Sequence, residues 1–170
     1  MNRIRKLLLE NGFNLQNVTF VDSGQSKITS TNIIATDYTF SCTSLLVWSD
    51  NFVYLNHMLP TEATKKEKLK PVLDKLEKVI DQNKEVIDII NVLVCSGVSD
   101  DTNCKMKFHD FSNLNHMLNK LDCFCLERNI EYIRYEDVIS KYLIYDPNQN
   151  KLLVESGLIE IVDNKKINRS

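Results

Sequence analysis

The stretch Thr43-Ser44-Leu45-Leu46-Val47-Trp48, Ser49-Asp50-Asn51, Phe52-Val53-Tyr54-Leu55 decides how this chain folds. Its outer segments are apolar, β-branched or aromatic, which suits the packed surface of a sheet. The three polar residues between them are turn formers, so the whole reads as a β-hairpin. If Trp48 pairs with Phe52, Cys42 falls opposite Met58, one residue from His57. A single bulge near the open end then brings Cys42 and His57 into register. Directly opposed residues hold their Cβ atoms about 4.5–5.5 Å apart, close enough for an S···H–N contact. Pro60 ends the second strand because it has no N–H for the ladder.

Upstream of the hairpin, residues 2 to 11 carry Ile4, Leu7 and Leu8 at helical spacing, stopped by Gly12. Val18 to Val21 and Asn32 to Ala35 are strand candidates around a polar loop from Asp22 to Thr31. Downstream, Val72, Leu73, Leu76, Val79 and Ile80 repeat with a helical period, and Pro71 suits a first turn. Ile87 to Val94 is a near-continuous aliphatic run, as in a strand covered on both faces. Leu114, Met117, Leu118, Leu121 and Cys125 mark a second core helix ending near Asn129. Tyr132–Tyr135, Lys141–Tyr145, Leu152–Glu155 and Leu158–Val162 are further strands, with Asp146-Pro147-Asn148 turning one pair. Hairpins plus two long helices indicate an α+β protein, an α/β sandwich with a mixed, largely antiparallel sheet.

The 170 residues suffice for one domain with a real core, burying about 70% of the unfolded surface. With 43% apolar and 26% charged residues, the composition is that of an ordinary globular protein. A net charge of −2 argues against a nucleic-acid partner. The basic stretch Lys65-Lys66-Glu67-Lys68 is interleaved with glutamate and reads as a solvated helix face. No apolar run reaches the roughly 18 residues of a membrane span. The basic start, Met1 to Glu10, has too short an apolar core for a secretory signal.

Five cysteines are an odd number in a chain with an ample core, which favours free thiols in a reducing cytoplasm over a disulfide framework. Cys104, Cys123 and Cys125, with His109 and His116 nearby, match no zinc spacing. Cys123 and Cys125 diverge if both sit on one helix, so no metal is expected. The words Leu55-Asn56-His57-Met58-Leu59 and Leu114-Asn115-His116-Met117-Leu118 are identical. Their flanks differ in period, so the repeat is coincidence and His116 is a helix-surface residue.

Cys42 and His57 are the candidate reacting pair. A thiol reacts as thiolate, and an adjacent imidazole generates one at neutral pH. On this reading Cys42 is the most reactive of the five thiols. The competing reading is a buried core cysteine, since cysteine is among the most buried residue types. Thr36 does not join the pair by spacing alone: six extended residues span roughly 20 Å, so the chain must bend between Thr36 and Cys42.

Thr36-x5-Cys42, with Ser41 before the cysteine and His57-Met58-Leu59-Pro60 closing the next strand, resembles the active-site segment of the chemoreceptor glutamine deamidases (CheD). The same Thr, Cys and His logic occurs in the cytotoxic necrotizing factor toxins, which deamidate glutamines of host proteins. The resemblance covers residues 30 to 160, and its specific part is the Thr/Cys/His segment. The family's glycine pair before the histidine strand is replaced by Asn51-Phe52-Val53, and its later Gly-Gly turn by Ser96-Gly97.

One deamidase-like domain is expected over residues 1–170, with an N-terminal helix within 1–12 and a flexible tail over 163–170. The resemblance implies a cysteine amidohydrolase: Cys42 the nucleophile, His57 the base and then acid, and Thr36 orienting His57. Oxyanion donors are expected among the backbone N–H groups around Ser41-Cys42. Such chemistry calls for no cofactor. The partner is a protein presenting an exposed glutamine, and the chain is expected to be monomeric. Two settings fit, a cytoplasmic chemotaxis enzyme or a toxin or effector injected into a host cell. A non-catalytic binding module of the same fold is the alternative.

Overall fold

The structure, a computed structural model, describes residues 3–37, 42–97, 111–155, 157–162 and 166–169. Helix α1 (Arg3–Glu10) is followed by Gly12 at φ +77°, a left-handed conformation that glycine adopts without steric cost. Strands β1 (Val18–Phe20), β2 (Gln25–Thr29) and β3 (Ile33–Asp37) precede the hairpin β4 (Thr43–Trp48) and β5 (Val53–Met58). Pro60 ends that hairpin and opens the short helix α2 (Pro60–Ala63), where its missing N–H costs nothing. Then come α3 (Lys66–Asn83), β6 (Ile89–Ser96), α4 (Ser112–Leu126), β7 (Glu131–Arg134) and β8 (Val138–Ile139). The last strands are β9 (Tyr142–Asp146), β10 (Lys151–Val154), β11 (Gly157–Val162) and β12 (Lys166–Arg169).

The strands form two sheets, where the sequence suggests one. The first has the order β1-β3-β9-β10-β11-β12; the second has β2-β5-β4-β6-β7, with β8 beside β6. Pairing is antiparallel except for β1 with β3 and β6 with β7 and β8. The α+β sandwich with two long helices, α3 and α4, is as the sequence implies.

Alternation along β4 explains the layering. Leu45 and Val47 pack with Leu69, Leu76, Ile80, Leu114 and Leu121 of the two long helices. Leu46 and Trp48 point the other way, against Ile34, Leu143, Tyr145 and Leu152 of the first sheet. A strand apolar on both faces needs cover on both, and receives helices on one side and a sheet on the other. The outer face of the first sheet is closed by Ile4 and Leu8 of α1, lying on Ile33, Ala35, Tyr142 and Ile144. The layers are therefore helix, sheet, sheet, helices. Trp48 fills the middle of the inter-sheet core, with its ring 5.4 Å from Tyr135 and 5.2 Å from Tyr145.

Four sequence expectations change. The hairpin register is Trp48↔Val53, not Trp48 with Phe52, because Ser49 to Phe52 form a four-residue turn. Ser49 N–H donates to the Phe52 carbonyl at 3.0 Å, and the Ser49 hydroxyl accepts from the Asn51 and Phe52 amides. The loop from Asp22 to Thr31 contains β2, whose polar sequence Gln-Ser-Lys-Ile-Thr hides an edge strand. Pro71 lies inside α3 rather than in its first turn, on the exposed side away from Leu69, Val72 and Leu76. Within the expected tail, Lys166–Arg169 pairs with β11.

Candidate active site

The hairpin turn decides where Cys42 stands. Because it takes four residues, Ser44 pairs with His57 and Thr43 with Met58. Register parity then puts Cys42, Ser44 and His57 on one face of the second sheet, and no bulge is required. Continued one step, the register sets Cys42 beside Leu59, diagonal to His57. Cys42 opens β4 at the sheet's end, anchored by its carbonyl accepting from Gly97 N–H at 2.8 Å. Both side chains face the inter-sheet layer: His57 is fully buried and Cys42 is 4% exposed.

Thr36 approaches from the opposite sheet. In β3, Ile33 and Ala35 face α1 while Ile34 faces the inter-sheet core, so Thr36 faces inward too. Its hydroxyl lies 2.7 Å from His57 Nδ1 and 2.7 Å from the Val21 carbonyl. A carbonyl can only accept, so the single Thr36 proton goes to Val21 and Oγ1 accepts from Nδ1–H. That assigns the Nδ1–H tautomer and leaves Nε2 with its lone pair, the state a general base needs. The bend required between Thr36 and Cys42 becomes a crossing from one sheet to the other; residues 38–41 lie outside the described ones.

Ser23, which the sequence reading passed over, joins the pair. Asp22 to Gln25 form a turn closed by Gln25 N–H to the Asp22 carbonyl at 3.0 Å. Gly24 holds φ +75° in that turn, and its N–H donates to the His57 carbonyl at 2.7 Å. The turn is thus pinned to β5 at the histidine. It presents the Ser23 hydroxyl 3.4 Å from His57 Nε2, on the Cys42 side, where that hydroxyl favours the thiolate of Cys42. The sequence signal for it is Ser-Gly immediately after a short strand, where glycine supplies the positive φ.

The electrostatics favour an uncharged resting pair. Burial raises the Cys42 thiol above its ordinary 9.0; the Ser23 hydrogen bond opposes this, and the Glu62 carboxylate adds to it. Burial likewise lowers His57 below 6.5, against the Val21 carbonyl and the carboxylates of Asp22 and Glu62. Proton transfer across the ordinary gap between such groups already costs about 3 kcal/mol, and burial widens it. Both directions favour thiol and neutral imidazole at rest, so thiolate has to be stabilised by the groups around the sulfur. This alters the expected order of thiol reactivity, because Cys123 is exposed while Cys42 is nearly covered.

At the rim, Leu59 is 40% exposed, and its N–H donates to the Glu62 carboxylate at 2.8 Å. Ser44, directly across from His57, is buried, and its hydroxyl has no hydrogen-bond partner among the described residues. Cys95 pairs with Ser44 on the far side, in the same inter-sheet layer. Ser41, and with it half of the expected oxyanion backbone, lies outside the described residues, as do Cys104 and His109. Cys125 is buried under α3 while Cys123 is exposed, so the two diverge on α4. His116 is on the exposed face of α4.

No protein-family model matches the chain, and no curated protein is detectably similar to it. Among the described residues no helix is long and apolar enough to cross a membrane.

Proposed function

We propose that this protein is a protein-glutamine deamidase whose site is Cys42, His57 and Thr36. The observation that carries the reading is the Thr36–His57 hydrogen bond at 2.7 Å between two sheets. It orients a buried imidazole with its basic nitrogen toward the thiol side. A core histidine with no chemical task could be satisfied more simply at lower desolvation cost.

In the proposed reaction, Cys42 Sγ attacks the side-chain carboxamide carbon as His57 Nε2 takes up the thiol proton. The C–N bond breaks as Nε2 returns that proton to nitrogen, and ammonia leaves. Water, deprotonated by His57, then opens the thioester to glutamate and restores the thiol. With Cys42 only 4% exposed, the group that reaches it is best a long, unbranched side chain presented by a protein loop. The absence of charge on the resting pair suits a neutral carboxamide.

Incubation with candidate proteins, with and without a primary amine, tests the assignment by ammonia release and peptide mass. Glutamate formation in plain buffer, with amide exchange only when amine is added, is the expected pattern. Turnover of free glutamine with no protein altered would overturn the protein-deamidase reading while leaving the thiol–imidazole pair intact.

A further inference from the structure

Five groups lie in sequence from Val21 to Cys42, and one constraint fixes their hydrogen bonds. The Val21 carbonyl can only accept, so the Thr36 hydroxyl donates to it at 2.7 Å. Thr36 Oγ1 must then accept from His57 Nδ1–H, also at 2.7 Å. The remaining nitrogen, Nε2, has only a lone pair to offer, so the Ser23 hydroxyl 3.4 Å away donates to it. Ser23 Oγ, having spent its one proton, is left to accept from the Cys42 thiol, and the same hydroxyl turned toward the sulfur favours the thiolate. Every donor in this chain points the same way, from Cys42 toward Val21.

We propose that Ser23 is a catalytic residue of this site, a hydroxyl that relays the proton from Cys42 Sγ to His57 Nε2 and then holds the thiolate. The step balances: S–H breaks as a new O–H forms on Ser23, and the original Ser23 O–H breaks as N–H forms at Nε2. The products are thiolate and imidazolium, with no change in total charge. The hydrogen bonds around Ser23 then reverse. Nε2–H donates to Oγ, and the Ser23 proton now points at the sulfur. Ser23 is satisfied in both states, so it adds no orphaned polar group to either. A hydroxyl donating to sulfur lowers the energy of the thiolate specifically, and this offsets part of the burial that keeps the thiol protonated.

The placement also explains why the turn is pinned. Gly24 N–H to the His57 carbonyl at 2.7 Å fixes Ser23 relative to the histidine's own backbone. Ser23 itself is exposed, on the solvent side of a pair that is otherwise covered. A positioning role for the fold alone would not require a hydroxyl there.

The inference shares the Cys42 nucleophile with the deamidase reading, but its test needs no substrate. Iodoacetamide alkylation of Cys42 is followed by peptide mass spectrometry across pH in wild type, Ser23→Ala and Ser23→Thr. Ser23→Ala is expected to slow alkylation near neutral pH about tenfold and move the half-rate pH up by about one unit. Ser23→Thr, which keeps the hydroxyl, is expected to restore most of the rate. Because position 23 is exposed, equal thermal unfolding of the three proteins shows that the fold is not the variable. An unchanged profile in Ser23→Ala, faster alkylation there, or failure of threonine to rescue would each overturn the proposal. Loss of the shift contradicts Ser23's role even if glutamine deamidation is found, and a shift supports it even if none is.

Discussion

The hydroxyl of Thr36 and Nδ1 of His57 meet at 2.7 Å although they stand on different sheets. The contact ties the two layers together at the point where the candidate chemistry occurs. It also selects the imidazole tautomer, because the Thr36 proton is already committed to Val21. Structure and reactivity therefore share one hydrogen bond.

Thr36→Val is accordingly expected to affect both. It removes the hydroxyl that accepts from a buried Nδ1–H and takes one donor from the Val21 carbonyl, at a cost of about 1–3 kcal/mol in stability. Freed of its tautomer constraint, His57 is expected to populate the Nε2–H form, and turnover to fall by about 10- to 100-fold. Nitrogen chemical shifts of the His57 ring would report the tautomer directly. An unchanged shift in the valine variant would mean that the backbone, not the hydroxyl, sets it.

Stability should depend on pH in a defined window. His57 is lowered below 6.5 in the fold, so below that pH the unfolded chain binds more protons and stability falls with acidification. Cys42 is raised above 9.0, so above that pH the unfolded chain releases its proton first and stability falls again. Urea unfolding should therefore show a plateau between these limits. Cys42→Ser should weaken the alkaline limb, to which the raised Cys125 thiol also contributes, without touching the acid one; a loss of both limbs together would contradict the separate assignment.

Thiol labelling should follow exposure in the resting protein. Cys123 is expected to react first, Cys42 more slowly, and Cys95 and Cys125 only on unfolding; burial pushes the Cys125 thiol up to about 12. Mapping adducts against time under native conditions checks the order. Early modification of Cys125 would show that α4 opens far more readily than its packing suggests.

Much of this was readable from residue types. The hairpin, both long helices and the doubly covered strand β6 follow from apolar periodicity, which local sequence carries well. The turn length was not readable, because Ser49 forms the turn with its side chain and so adds Phe52 to the loop. That single residue changed the parity of the register and removed the need for a bulge. The division into two sheets was hidden because pairing between β3 and β9, over a hundred residues apart, leaves no local trace. Ser23 escaped notice for a related reason. An exposed serine in a polar turn looks like any other until the fold lays it against His57.

The most direct test of the central claim is intact-protein and peptide mass spectrometry of candidate targets, bacterial receptor domains and host regulatory proteins, after incubation with wild type, Cys42→Ser and His57→Ala. One glutamine converted to glutamate by wild type, with both variants nearly inactive to a similar degree because the two residues act as a unit, is the predicted result. Conversion that persists in Cys42→Ser, or no altered glutamine in any target, would contradict it.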